Sequence, residues 1–159
     1  MRVGAAIHGL DPFGEDPALR DLEPALELST YVASIRADAR GERIGYGGRL
    51  VASASTHIAT LPIGYGDSLP RPLTNNAQLL VRGTRLPLVG TVAIDAVTLG
   101  VGTPPVAAVG DRAALIGSQG GERITADEVA RRLGTVNAEI TCGLSPRVPR
   151  VYHSDGHPA

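Results

Sequence analysis

The sequence predicts a mainly β domain, barrel or sandwich, with one short helix. Three observations predict it. Short apolar stretches are separated by glycine, proline or Asn75-Asn76, and aromatic residues are only 3% of the chain. From Leu26, apolar and polar residues roughly alternate past Leu28, Thr30, Val32 and Ser34, the period of a half-buried strand. A single window, Thr125 to Gly134, carries helix signals at both ends.

Taken in order, Val3 to Leu10 is an apolar run closed by Asp11-Pro12 and reads as a strand. Pro17 to Leu22 has room for one or two helical turns before Pro24. The alternating strand from Leu26 follows, and Ala39 to Glu42 reads as a turn. Arg43 to Tyr46 and Ile58 to Ile63 are further strands. Leu79 to Val81 and Leu86 to Ile94 flank Arg82-Gly83-Thr84, a hairpin signature. Ala113 to Ile116 is a strand ended by Gln119-Gly120-Gly121. In the helix, Thr125 is the N-cap, with Glu128 three residues on as in a capping box. Val129, Ala130 and Leu133 share one face, and Gly134 is the stop. Arg147 to Tyr152 reads as a last strand and His153 to Ala159 as a frayed tail.

Composition excludes several classes. A chain of 159 residues, 43% apolar, can bury its own core. A net charge of -1 leaves no basic footprint for nucleic acid. No apolar run approaches the roughly 18 residues that span a bilayer, and Met1-Arg2-Val3-Gly4 does not open a signal peptide. The lone Cys142 cannot form an internal disulfide, so a cytoplasmic protein is expected. His8, His57, His153 and His157 show no metal-ligand spacing, so no metal is expected. Gly117 to Gly121 superficially resembles a phosphate loop but lacks its lysine, and reads as a turn. All fifteen basic residues are arginine. The chain therefore has no side-chain amine to form a Schiff base.

Four stretches carry a resemblance. Arg2 to Leu10 resembles an Arg-x-Gly-Ile-x-x-Tyr-Gly-Leu segment, and Gly41 to Gly47 a Gly-Glu-x-Val-Ser-Tyr-Gly segment. Pro62-Ile63-Gly64-Tyr65-Gly66-Asp67 resembles Pro-Ile-Gly-Tyr-Ala-Asp-Gly. Pro87 to Asp95, with Arg147-Val148-Pro149-Arg150, resembles the closing blocks. These belong to the C-terminal β domain of alanine racemases, the fold-type III pyridoxal-phosphate family.

The resemblance implies a Greek-key-type β-barrel with one helix near 126–133. It divides the chain into a remnant of a barrel strand and linker (1–22), the β domain (23–153) and a flexible tail (154–159). In the family, a preceding pyridoxal-phosphate barrel carries the Schiff-base lysine. The second base is a tyrosine donated by the other subunit's β domain, and Tyr46 matches it. Seen alone, Tyr46 would be a half-buried strand tyrosine. A phenol titrates near pH 10 in water, so it needs a lowered pKa or an acidified carbon to take a proton. Tyr65, Asp67 and Arg71 match residues of the substrate's access route. Arg2 matches the arginine on the cofactor's pyridine nitrogen, and Gly4 and Ala5 match backbone donors to its phosphate; all three are vestigial without the barrel.

Several positions depart from the pattern. Ile94 stands for the methionine that helps hold the substrate carboxylate, and Thr91 for an arginine three residues earlier. Pro146 replaces a tyrosine that touches the phosphate and supplies no hydroxyl or backbone donor. His8 replaces another tyrosine, and Ser68 a glycine. The readings left open are three. One is a cofactor-independent isomerase or cyclase working on a small metabolite through a Tyr46/Tyr65 pocket. Another is the tyrosine-donating half of a split racemase, binding pyridoxal phosphate only through a barrel partner. The third is a non-catalytic binding or assembly module. A homodimer is expected in each case, because the family's β domain lies at a subunit interface.

Overall fold

The computed structural model describes residues 4–154 and 157–158. Two antiparallel sheets hold the core. The larger orders its strands β1 (Leu28–Tyr31), β9 (Arg112–Gln119), β6 (Gln78–Val81) and β7 (Thr84–Pro87), with β10 (Glu122–Ile124) also on β9. The smaller is β2 (Ser34–Asp38), β5 (Thr56–Leu61) and β8 (Val97–Gly102). A two-stranded ribbon, β3 (Arg43–Ile44) with β4 (Leu50–Val51), stands beside them.

The alternating run from Leu26 is two strands rather than one. Val32 donates to Asp111 O at 2.9 Å, still in the large sheet, and Ala33 donates to Thr60 O at 2.9 Å, already in the small one. The chain changes sheet between these residues, with Val32 fully buried at the corner. A single bridge between Leu88 and Leu99 joins the sheets again beyond β7. The two junctions give the mainly β domain its barrel-like form, without a closed ladder among the described residues.

The β6–β7 hairpin turns on Arg82 and Gly83, at φ 52 and φ 74, the double positive φ of a tight two-residue hairpin turn. Thr84 thus belongs to the strand, paired with Val81. The expected strand to Ile94 ends at Pro87, and residues 88–96 form a loop. β9 is central, between β1 and β6, so Ala113 to Ile116 are all buried. β8 was not expected, because Gly100 and Gly102 interrupt it; yet Val97, Leu99 and Val101 alternate inward at 1% exposure or less.

Helix α1 (Ala126–Leu133) forms as expected, with Thr125 Oγ1 accepting from Glu128 N at 3.1 Å and Gly134 left-handed at φ 69. The Glu128 carboxylate turns instead to Arg85 at 2.9 Å and Arg132 at 3.0 Å, tying the helix to β7. Hydrogen bonds donated to Glu128 and Glu122 raise the Arg85 guanidinium's pKa against the opposing effect of burial. A second helix, α2 (Asn137–Cys142), was not expected. Its Asn137 side chain donates to Asp11 O at 2.6 Å and Asp127 Oδ1 at 2.5 Å, fastening it to α1 and to the N-terminal segment.

Two further expectations are corrected. Ala5–His8 is a 3-10 turn, not a strand: Gly9 N and Leu10 N return to Ala6 O and Ala5 O, and the backbone doubles back at left-handed Gly9, close against Glu23. Arg147 to Tyr152 contains no strand; the Arg150 guanidinium donates instead to the carbonyls of Leu144, Ser145 and Val148. In the segment read as frayed, β11 (His153–Ser154) pairs with β12 (His157–Pro158). Among the described residues no helix is long and apolar enough to cross a membrane, and no three His, Cys, Asp or Glu side chains group as metal ligands.

The main core runs between the sheets through Leu61, Leu73, Leu79 and Leu99. A smaller cluster, Ile44, Ala52 and Ile58 with Leu50 and Val89, lies under the β3–β4 ribbon. Burying Ile44 there contributes about 1.5–3 kcal/mol, and this anchors the loop that carries Tyr46.

Candidate functional site

Between β3 and β4 the chain reads Gly45-Tyr46-Gly47-Gly48-Arg49. Gly45 has φ 72 and ψ -178, a conformation open essentially to glycine alone, and Gly47 and Gly48 follow at φ 74 and φ 56. The bend lifts Tyr46 out of the ribbon. Its ring is 72% exposed rather than half-buried on a strand. Arg43 lies over Gly48 and donates to its carbonyl at 3.0 Å, closing the turn.

Gly45 rests directly on Gly90. A Cβ on either would lie 3.3 Å from the other's Cα, so the two backbones touch with no side chain between them. The loop 88–96 is in turn held by side chains from the preceding segment. Asn75 Oδ1 accepts from Gly90 N at 2.6 Å, and Thr74 Oγ1 accepts from Val92 N at 3.1 Å.

The same loop holds the turn that carries the second tyrosine. Tyr65 N donates to Ala93 O at 2.9 Å and Gly66 N to Ile94 O at 2.7 Å. Gly64 and Gly66 allow this approach: a Cβ on Gly64 would sit 2.3 Å from Ala93 O, and one on Gly66 2.9 Å from Ile94 O. Asp67 caps the turn by accepting from Gly64 N at 2.9 Å, and it meets Arg147 at 3.4 Å. The Arg-Val-Pro-Arg segment therefore reaches the site through Arg147.

The turns that carry Tyr46 and Tyr65 thus both rest on the loop that carries Ile94. Tyr65 and Ile94 are 45% and 54% exposed. Thr91 is buried, and its hydroxyl has no partner. Asp67 acts on the turn itself. Arg71 is exposed, and only its carbonyl serves the site, accepting from Thr74. Gly4 is exposed, Ala5 packs against the main core, and neither bonds to the loop. Arg2 lies outside the described residues. Sequence reasoning assigned no site role to Gly45, Gly90, Thr74, Asn75 or Arg147, although Gly45, Gly90 and Arg147 lie in the matching stretches and Asn75 lies in the Asn75-Asn76 spacer.

The two phenols stand on the outer surface, and the best-defined clefts of the domain are lined by other residues. The chain has no lysine to hold pyridoxal phosphate, and the described residues do not fit that cofactor by themselves. What they can do is present hydroxyls and a shaped edge to a neighbouring surface.

Fold and site together define a mainly β domain whose Tyr46 and Tyr65 face outward instead of lining a cleft of their own. Residues 25–152 match the C-terminal domain of alanine racemase, and the chain belongs to that family. It is 43% identical over 152 residues to alanine racemase of Symbiobacterium thermophilum, and 40% identical over 152 residues to alanine racemase 2 of Caldanaerobacter subterraneus subsp. tengcongensis. These matches take in 96% of this chain but 40% and 39% of the relatives, so the chain spans about two fifths of their length. Among solved structures, alanine racemase of Bacillus anthracis with bound L-Ala-P superposes with a TM-score of 0.89 at 38% identity, over 99% of this chain and 40% of that one. The enzyme of a D-cycloserine-producing Streptomyces lavendulae gives a TM-score of 0.90 at 32% identity, over 97% and 41%.

Proposed function

We propose that this domain supplies the tyrosine side of an amino-acid racemase site. A lysine-bearing barrel that holds pyridoxal phosphate, on another stretch of polypeptide joined to this one or separate, supplies the other side. The observation that carries the reading is Tyr46: a phenol 72% exposed on a turn of three positive-φ glycines, fixed to a rigid loop. Such a side chain is presented outward, toward something the chain does not contain. Bound in the barrel, the cofactor would make the substrate's α-proton acidic. Tyr46 Oη then takes or returns that proton on one face of the α-carbon. Tyr65 and Ile94 border the approach, and the Asp67–Arg147 pair steadies the turn between them. The working assembly is a homodimer in the cytoplasm.

No structural observation favours a cofactor-independent isomerase or cyclase, which would need a pocket enclosing Tyr46 and Tyr65. The test is recovery of the tagged chain from its host, followed by measurement of α-deuteration of L-alanine in D2O. The expected material contains pyridoxal phosphate on a lysine outside this sequence. Tyr46→Phe lowers exchange by about 10²–10⁴-fold, the usual worth of a general acid or base. Recovery without the cofactor removes the racemase reading and leaves a binding or assembly role. Exchange unchanged by Tyr46→Phe removes the role of Tyr46.

A further inference from the structure

We infer that the cleft between residues 11–14 and helices α1 and α2 binds a free α-amino acid with an apolar side chain, its ammonium on Asp127 and its carboxylate on Arg131. Asp127 and Arg131 are four residues apart on α1, a spacing at which an acid and a base meet on one helix face. Here they do not pair. Asp127 is 1% exposed; its Oδ1 accepts from Asn137, and its Oδ2 has no partner. Arg131 is exposed and turns Nη1 to Gly14 O at 2.9 Å, leaving its other donors without a carboxylate.

No donor among the described residues bonds Asp127 Oδ2. Both amide protons of Asn137 are already used, on Asp11 O and Asp127 Oδ1. The neighbouring carboxylate, Asp11, is itself satisfied by Glu15 N at 2.6 Å and Arg20 at 3.0 Å. A buried carboxylate oxygen left without a donor is costly, so the oxygen calls for one from outside. The cleft holds about 390 Å³, within the roughly 300–1,000 Å³ of small-molecule sites.

Its chemistry selects a zwitterion. A water molecule would satisfy Oδ2 but leave Arg131 and the apolar walls unused, and a bare amine would use only one end. An α-amino acid uses both charged ends, with its side chain against Phe13 and Val136, which are 74% and 65% exposed. Phe13 lies under the Arg20 guanidinium at 4.7 Å, and Arg131 is held by its bond to Gly14. None of these residues takes part in the racemase reading.

The test is a set of ¹H–¹⁵N spectra of the full chain titrated with L-leucine and two analogues. One is 4-methylpentanoate, which lacks the ammonium; the other is 3-methylbutylamine, which lacks the carboxylate. Saturable shifts are expected at Gly14, Arg131 and Thr135 with L-leucine, and each analogue should bind about tenfold more weakly or worse, the worth of one charge-assisted pair. Arg131→Ala, a change at an exposed residue, should weaken L-leucine by about tenfold and leave 3-methylbutylamine unchanged. Asp127→Asn should abolish amine binding; if that variant does not fold, the analogues and Arg131→Ala decide alone. No saturation by about 50 mM L-leucine, equal binding of all three compounds, or full L-leucine affinity in Arg131→Ala would each overturn the assignment.

Discussion

Replacing Gly64 with alanine tests whether Tyr65 is held by backbone contact with the 88–96 loop. Gly64 has φ -154 and ψ -161, which alanine adopts without strain, so any effect comes from the new methyl group. That Cβ would lie 2.3 Å from Ala93 O, whereas ordinary contact begins at 3.4 Å, so the gap must open by 3.4 − 2.3 = 1.1 Å. Opening it breaks the bonds from Tyr65 N at 2.9 Å and Gly66 N at 2.7 Å. Two hydrogen bonds at about 1 kcal/mol net each, with about 1–3 kcal/mol of overpacking, sum to about 3–5 kcal/mol. That is a large part of the roughly 5–15 kcal/mol that holds a domain folded. In urea, with a slope of about 2 kcal/mol/M, the midpoint falls by about 1.5–2.5 M. Gly121→Ala is the control: a Cβ there meets nothing within 4 Å and Gly121 is not left-handed, so its midpoint stays or rises slightly. If the two variants melt within about 0.5 M of each other, the turn does not sit on the loop as described.

Tyr46→Phe should change folding stability by no more than about 0.5 kcal/mol, since the ring is exposed; a larger loss in urea denaturation would mean the hydroxyl is structural. Asn137→Ala removes both donors that join Asp11 and Asp127, for about 2–4 kcal/mol and a fall in Tm of about 8 °C; a fall under about 2 °C contradicts the network. Ser68 is left-handed at φ 80, so Ser68→Gly should raise stability by about 0.5 kcal/mol, strain relief outweighing the entropy of glycine. For Glu128, burial raises the pKa, but hydrogen bonds and charge from Arg85 and Arg132 outweigh it and hold the carboxyl below its usual range. A depressed folded pKa means stability that is present above the unfolded value near 4.3 and lost as pH falls through the folded one. The urea midpoints of the parent and Glu128→Gln should therefore differ at pH 7 and converge below about pH 4; a gap that stays constant would refute the sign.

Much of the fold was legible because its signals are local. The hairpin at Arg82-Gly83 and the helix opened by Thr125 each carry their own geometry in adjacent residues. What escaped depends on distant partners. The run from Leu26 alternates as one strand, and only the positions of Asp111 and Thr60 show that it changes sheet at Val32-Ala33. β8 hid behind two glycines whose neighbours alternate inward. α2 has no side-chain cap to announce it; its first residue is anchored by Asp11, 126 residues away in sequence, and by Asp127, 10 residues away. At the site, matching motifs pointed to Tyr46, Tyr65 and the Pro87–Asp95 stretch, but not to the backbone contacts that join them. That junction is made by glycine backbones, which no side-chain pattern advertises.

The way the site is built explains how it can hold its shape while its side chains change. Gly45 lies against Gly90, and Tyr65 and Gly66 bond to the carbonyls of Ala93 and Ile94. Asn75 and Thr74 hold the loop by its amide nitrogens, at Gly90 and Val92. None of these ties runs through the side chain of residue 91 or 94. Changes at the exposed Ile94 therefore alter what the loop presents without moving either tyrosine. Ile94→Met should leave the urea midpoint within about 0.5 M of the parent, because the side chain is 54% exposed and bears none of the ties. Gly90→Ala should act in the opposite way. Its Cβ would press at 3.3 Å on Gly45 Cα and Ile44 O from a left-handed φ of 81, so the loop and the Tyr46 turn must part. Position 94 is then free to vary what the loop presents, and position 90 holds the loop against the Tyr46 turn. Ile94→Met destabilising the domain as much as Gly90→Ala would show that side-chain packing, rather than backbone contact, sets the geometry of the two tyrosines.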